Sequence, residues 1–199
     1  MDELDFGYFP NQGFVKTKLP ADLYGRLKVE CLELQSNTEN EYNLLNFRQE
    51  LESYFKQVVS VYQSHYNTNS TNWPLSIDNV ELQNLWINYQ NKGEFNPPHT
   101  HTGSYSFVIW IQVPYYTSEE FNHPSASYNN KIRPDQLAGS FMFQYTNILG
   151  EIRDMYYDAD KNYEGCCFLF PATLTHQVFP FYSSNDVRIT LSGNIGQRI

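Results

Sequence analysis

The sequence predicts an α+β protein, because two helical segments come first and several strands follow them. Apolar residues recur at helical spacing over residues 20–36 and again over about 39–65. After residue 80 the apolar residues alternate instead, as is typical of strands. This order favours helices that cover one face of a sheet or of a jelly-roll sandwich.

The length of 199 residues suits a single domain with a buried core. We therefore expect one domain over residues 1–199, with helical support over about 1–75 and a β-rich core over about 80–199. The aromatic content of 17% agrees with a β-rich fold, because large rings pack well on pleated surfaces.

The first helical segment begins at Pro20, a residue that suits the first turn of a helix. Its apolar positions are Leu23, Leu27, Cys31 and Leu34. The second segment has an apolar face that runs from Leu44 to Tyr62, with Glu, Gln and Lys between the apolar positions. Residues 67–74 are rich in Asn, Ser and Thr and predict a loop that ends the helical part.

The strands follow in the second half of the chain. They are predicted over residues 82–89, 105–113, 139–145, 164–170 and 188–195. Residues 91–93 predict a turn. Residues 115–134 combine prolines with many polar residues and predict a long irregular insertion, and long loops in compact domains are often functional.

Charge and cysteine content exclude several classes of protein. The net charge is -9 and the 13 Lys and Arg residues are scattered, so the basic stripe of a nucleic-acid-binding protein is missing. The three cysteines include an adjacent pair, which predicts free thiols in a reducing compartment. No apolar run approaches the ~18 residues of a membrane span, and the first five residues are too acidic for a signal peptide. We therefore expect a cytoplasmic protein that does not bind a membrane, and the charge argues against nucleic acid as a partner without excluding it.

A pair of histidines is the sharpest local feature. His99 and His101 end the sequence Asn-Pro-Pro-His-Thr-His, and residues two apart on a strand point to the same face. Two imidazoles on one face can reach one metal ion, and imidazole suits Zn, Cu, Fe and Ni. Such a pair is also common on protein surfaces, so it predicts a metal site only together with further ligands.

A third histidine and an arginine strengthen this hypothesis. His176 follows the predicted strand 164–170 after a proline turn, and Arg188 lies twelve residues further on. On a strand, Arg188 shares its face with Thr190 and Ser192, and a guanidinium beside two hydroxyls is suited to bind a carboxylate. An exposed strand arginine is the alternative, but Ile189 and Leu191 on the opposite face make it less convincing.

Together these motifs resemble a known family. The similarity runs from about Leu85 to Ile195. In chain order, its markers are Trp-Ile-Asn at 86–88, Lys-Gly at 92–93, residues 96–101, Gln-Val-Pro at 112–114, Phe-Pro-Ala at 170–172, His176 and residues 188–194. The sequence resembles the iron(II)- and 2-oxoglutarate-dependent oxygenases. It is most similar to small members found in marine bacteria and large tailed phages, which are distantly similar to prolyl 4-hydroxylases. A phage origin would place the protein in the host cytoplasm.

The resemblance implies a fold and a metal site. The fold is a double-stranded β-helix, a cupin-like jelly roll, here with N-terminal helices packed on one outer sheet. His99 matches the first ligand of the family's His-x-Asp/Glu…His triad, and His176 matches the last. His101 stands where the superfamily usually has an acidic residue, so the implied site is a three-histidine Fe(II) site.

The resemblance also implies a co-substrate site and a reaction. Arg188 matches the basic residue that pairs with the distal carboxylate of 2-oxoglutarate, and Thr190 or Ser192 would add a hydroxyl. Tyr89, on the strand before the triad, is the candidate for a further contact. Dioxygen is the second co-substrate, and the implied reaction is hydroxylation of an unidentified protein, amino acid or nucleobase.

Two other functions use the same residues. A three-histidine, cupin-like dioxygenase or metal-binding protein would need no 2-oxoglutarate, and Arg188 would then lie away from the metal. A non-enzymatic phage structural module would be metal-free and would hold the three imidazoles apart.

Overall fold

The computed structural model describes residues 12–35, 47–66, 76–126 and 137–198. Its helices are α1 (Ala21–Gln35), α2 (Arg48–Tyr66) and α3 (Thr117–Asn122). Its strands are β1 (Val15–Lys18), β2 (Val80–Gln90), β3 (Asn96–His99), β4 (Tyr105–Gln112), β5 (Phe141–Thr146), β6 (Ile152–Tyr157), β7 (Cys166–Pro171), β8 (Thr175–Val178) and β9 (Arg188–Gln197). Short 3₁₀ turns cover Ile77–Asn79 and Lys161–Tyr163.

The strands form two antiparallel sheets. The larger sheet has the order β1-β7-β4-β9-β2, and the smaller has the order β3-β8-β5-β6. Strands that follow one another in sequence often belong to different sheets, so the chain crosses repeatedly between them. This is the two-sheet arrangement of the predicted jelly roll.

The larger sheet buries both of its faces. Its outer face packs against α1 and α2 through apolar residues, and the ring of Phe55 stacks on that of Phe107 at a centroid distance of 3.9 Å. The helices contribute Leu23, Leu27, Cys31, Leu51, Phe55, Val59 and Tyr62 to this layer. The predicted packing of the helices on one outer sheet face is therefore confirmed.

The inner face of the larger sheet meets the smaller sheet through aromatic rings. We call Trp110, Phe141, Phe143, Phe168 and Phe170 the aromatic cluster; each of these side chains is at most 2% exposed. Phe168 lies at its centre, with its ring 4.7 Å from Trp110 and 5.9 Å from Phe143. This cluster fixes the two sheets against each other on the side of β4, β5 and β7.

Several elements differ from the sequence-based prediction. The strands β1 and β8 have only four residues each, too short to be predicted from an alternating pattern. The edge strand β6 is mostly exposed and lacks that pattern as well. The strand expected to carry both His99 and His101 is β3, but it ends at His99, so that His101 lies beyond it. The predicted insertion at 115–134 contains α3. Three predicted features lie outside the described residues: positions 127–134 of that insertion, the start of the second helix and the loop at 67–74. Among the described helices, none is long and apolar enough to cross a membrane.

Candidate active site

Three histidine side chains converge between the two sheets. His99 on β3 and His176 on β8 are direct partners across the antiparallel pair, and His101 follows β3 by two residues. One nitrogen from each ring lies within 4.8 Å of the other two. The Nε2 atoms of His101 and His176 are 3.2 Å apart, a separation that suits two nitrogens bound to one ion at about 2.0–2.1 Å.

Backbone carbonyl groups orient two of these rings. The Nδ1 atom of His99 lies 2.7 Å from the Pro97 carbonyl, and that of His176 lies 3.0 Å from the Leu174 carbonyl. An Nδ1–H that donates to a carbonyl leaves the lone pair on Nε2, the tautomer that binds a metal through Nε2. The prolines at 97 and 98 and the register of β3 with β8 thus present the nitrogens in a ligating form.

Burial favours the neutral form of two of the three imidazoles. Burial lowers the pKa of His176 to about 3 and is the largest influence on it. The hydrogen bond from the ring to the Leu174 carbonyl raises this pKa, whereas the other two histidines lower it. Burial, followed by the charge of His99, also lowers the pKa of His101. A neutral imidazole is the form that binds a metal, so both rings are ready to do so at neutral pH. The donor set fits Fe(II), for which imidazole is a suitable ligand.

Arg188 lies on the inner face of the larger sheet and is 1% exposed. Its Nε donates to Gln90 Oε1 at 3.1 Å, and its Nη1 donates to the Tyr115 hydroxyl at 2.8 Å. Both terminal nitrogens also donate to the Phe179 carbonyl at 3.1 Å. Within the described part of the chain, no carboxylate lies within 4.0 Å of this guanidinium. A buried cation whose hydrogen-bond partners are all neutral gains stability when it binds an anion.

Polar residues continue along the same face of β2 and β9. We call Asn88, Gln90, Arg188, Thr190 and Ser192 the polar row. Asn88 Nδ2 donates to Thr190 Oγ1 at 3.2 Å and to Ser192 Oγ at 3.3 Å. Because both hydroxyl oxygens act as acceptors there, their own protons are available to a ligand.

One predicted contact is wrong. Tyr89 points to the outer face, where its hydroxyl donates to the Cys31 carbonyl at 2.7 Å on α1. Adjacent residues of a strand face opposite sides, so Asn88 and Gln90 occupy the inner face in its place. The strand alternation could have identified both.

Tyr115 is a third residue that sequence reasoning missed as a site residue. It is 1% exposed, and its hydroxyl contacts Arg188 from the segment after β4. The sequence offers no signal for this contact, because Tyr115 lies in the short loop between β4 and α3, where no periodic pattern fixes the direction of a side chain.

The site opens along the seam between β2 and β3, the facing edge strands of the two sheets. A cavity of about 620 Å³ lies there beside Trp86, Asn88, His101 and Asn194. A second cavity, of about 560 Å³, continues past Asn88 to Gln90 and Asn96. Small molecules can therefore approach His101, Asn88 and Gln90 from this edge.

Solved structures with the same fold include several oxygenases. A prolyl 4-hydroxylase from Pseudomonas putida aligns with a TM-score of 0.55 and 15% identity, covering 94% of this chain and 89% of its own. A viral collagen prolyl hydroxylase from Paramecium bursaria chlorella virus-1 aligns with a TM-score of 0.53 and 10% identity, covering 100% of both chains. HygX from Streptomyces hygroscopicus, solved with nickel and 2-oxoglutarate bound, aligns with a TM-score of 0.50 and 10% identity, covering 94% of this chain and 82% of its own. These alignments confirm the double-stranded β-helix.

Sequence comparison identifies the family. No curated protein sequence matches the chain. Residues 84–194, more than half of the 199 residues, match the model of a family described as "Putative 2OG-Fe(II) oxygenase". The matched segment contains all three histidines and the whole polar row. Membership of this family implies Fe(II) and 2-oxoglutarate as cofactors. The chain is an enzyme that belongs to the family of 2OG-Fe(II) oxygenases.

Proposed function

We propose that this chain, folded as one domain over residues 1–199, is a 2-oxoglutarate-dependent hydroxylase. His99, His101 and His176 hold Fe(II), and Arg188 holds the distal carboxylate of 2-oxoglutarate. The observation that carries this proposal is the Arg188 guanidinium, which is 1% exposed and has only neutral hydrogen-bond partners among the described residues. Burying a charge in this way is costly unless a ligand of opposite charge compensates it.

The bound cofactors supply the chemistry: dioxygen and 2-oxoglutarate convert a substrate C–H to C–OH, with succinate and CO₂ as the other products. The protein supplies binding and orientation. The three imidazoles present lone pairs to the ion, and the hydroxyls of Thr190 and Ser192 are free to donate to the co-substrate. The aromatic cluster excludes water from one side of the space between the sheets.

The third imidazole changes the charge of the site. A neutral His101 leaves the two positive charges of Fe(II) uncompensated by protein ligands, whereas a carboxylate at that position would cancel one of them. An anionic co-substrate provides the missing charge. The three-histidine site can therefore accommodate the 2-oxoglutarate dianion, in agreement with the cofactors that the family implies.

The test separates the metal from the co-substrate. Arg188→Ala should retain the metal and bind 2-oxoglutarate at least tenfold more weakly, a change of about 1.4 kcal/mol. Arg153→Ala, which removes an exposed arginine of β6, is the control and should change neither quantity. Metal content is measured by elemental analysis, and co-substrate affinity by calorimetry on the nickel-loaded protein.

Arg188→Lys covers the case in which the alanine variant does not fold. It keeps the charge but loses the planar pair of donors, so it should show a weaker form of the same defect. Unchanged affinity in both variants would contradict the role of Arg188.

A three-histidine dioxygenase without 2-oxoglutarate is the second candidate. The cluster of three imidazoles, to which the described residues add no carboxylate ligand, favours it. An unmodified protein that binds nickel but no 2-oxoglutarate would select this function. The substrate in either case stays open among proteins, amino acids and nucleobases.

A further inference from the structure

Gln90 occupies a position on Arg188 that a carboxylate would take. Its Oε1 accepts the Nε–H of Arg188 at 3.1 Å, and the two residues are direct partners across β2 and β9. Gln90 is 7% exposed, so this contact is held inside the protein. The side-chain amide oxygen is a neutral counterpart of a carboxylate oxygen, with the same acceptor geometry.

The donor pattern of Arg188 shows which edge of the guanidinium can take a ligand. A guanidinium has five N–H groups. The edge formed by Nη1 and Nη2 faces the Phe179 carbonyl, which accepts from both at 3.1 Å, and the outer Nη1 proton goes to Tyr115. The remaining edge consists of Nε, which is bound to Gln90, and the second proton of Nη2, which has no acceptor in the described ranges. A carboxylate could use both donors of this edge only if Gln90 left Nε.

Gln90 also connects the two sheets. Its Nε2 donates to Asn96 Oδ1 at 2.7 Å, and Asn96 begins β3, the strand that ends with His99. This hydrogen bond crosses the seam beside the 560 Å³ cavity, which Gln90 and Asn96 both line. A single carboxamide therefore contacts the anion-binding arginine and the strand that carries a proposed metal ligand.

We propose that Gln90 is a positioning residue that holds the carboxylate edge of Arg188 until the co-substrate replaces it. This inference rests on the proposed function. On binding, the distal carboxylate takes the Nε and Nη2 protons of Arg188, and the Gln90 amide turns away from Nε. A neutral amide is displaced at little cost, because the incoming carboxylate makes the stronger, charge-assisted bonds. A glutamate at this position would instead form a buried ion pair with Arg188 and compete with the co-substrate.

The experiment compares two substitutions and two ligands. Gln90→Glu should weaken 2-oxoglutarate binding to the nickel-loaded protein at least tenfold, because the new carboxylate occupies Arg188. Gln90→Ala should raise that affinity by up to about threefold, because the co-substrate no longer has to displace an amide from the Nε donor. Pyruvate has the 2-oxo acid group without the distal carboxylate, so its affinity should not change in either variant. Gln197→Glu places the same charge at the exposed end of β9, the strand that carries Arg188, and is the control.

A purely structural role predicts a different result. If Gln90 only supports the fold, both substitutions should weaken 2-oxoglutarate and pyruvate alike, and that outcome overturns the proposal. Equal affinity of Gln90→Glu and the unmodified protein for 2-oxoglutarate overturns it as well. The failure of the proposed function is distinguishable, because Arg188→Ala would then bind 2-oxoglutarate as well as the unmodified protein does.

Discussion

The inner face of the larger sheet has two halves that differ in chemistry. On β2 and β9 it carries the polar row, whose side chains hydrogen bond to one another. On β4 and β7 it carries aromatic rings that pack against β5, with Phe168 and Phe170 at most 1% exposed. The two halves are adjacent: Val108 on β4 pairs with Ser192 on β9 and with Phe168 on β7.

The difference separates a half that stabilises the fold from a half whose buried polar groups suit the proposed binding of the co-substrate. Burying an aromatic ring contributes directly to stability, whereas burying hydroxyls, amides and a guanidinium costs free energy that internal hydrogen bonds only offset. The outer face of β2 and β9 is mainly apolar, so the buried polar side chains of the inner face are not a general property of these strands. A buried polar row beside three histidines is therefore best explained by a polar ligand.

The largest effect is expected from a change in the aromatic cluster. Phe168→Ala should destabilise the protein by about 3–5 kcal/mol, because it leaves a cavity at the centre of the cluster. Urea unfolding measures the change, and Phe168→Leu should cost much less because it fills most of the space. A loss below about 1 kcal/mol for the alanine variant would show that the aromatic half does not hold the sheets together.

The metal should depend on the histidines next to the polar row. His176→Ala should weaken nickel binding at least a hundredfold, about 2.7 kcal/mol, because it removes one of three nitrogen ligands. His123→Ala is the control, since His123 lies at the end of α3 and outside the triad. Calorimetry measures both. Similar nickel affinities in the two variants would mean that His176 is not a ligand.

The amino-acid sequence predicts the triad, Arg188 and its two hydroxyl neighbours because these residues lie on or next to strands. A strand fixes which face each side chain takes, so its alternation groups Arg188 with Thr190 and Ser192. It does not place His101, which lies beyond the end of β3 and whose backbone N–H donates to the Ala172 carbonyl. The same rule explains why the prediction for Tyr89 was wrong. Asn88 and Gln90 lie on the inner face of β2, so Tyr89 between them lies on the outer face. Contacts that depend on how distant segments pack, such as Tyr115 with Arg188, have no local pattern and could not be predicted.

Tyr115 lies where the two halves meet. Its ring stacks on Phe181 at 4.9 Å, and its hydroxyl accepts from Arg188 while it donates to the Gly139 carbonyl at 2.8 Å. Burial raises the pKa of Tyr115 although Arg188 lowers it, so the hydroxyl stays protonated and can donate.

Tyr115→Phe should cost about 1–2 kcal/mol in urea unfolding, because it leaves two buried groups without this partner. Tyr163→Phe is the control, because Tyr163 packs against the same group of apolar residues as Tyr115 but is less buried, and it should change stability less. Equal losses in the two variants would mean that the hydroxyl of Tyr115 has no special role.

The smallest change in stability is expected from the polar row itself. Thr190→Val combined with Ser192→Ala removes both hydroxyls that accept from Asn88. Stability should change by no more than about 1 kcal/mol, because Asn88 is only partly buried and its amide can turn to water. The affinity for 2-oxoglutarate should nevertheless fall about three- to tenfold, or about 0.7–1.4 kcal/mol, since the hydroxyl protons are lost. Thr146→Val on the exposed end of β5 is the control and should change neither property. A large loss of stability with unchanged affinity would reverse the comparison and make the polar row a structural element.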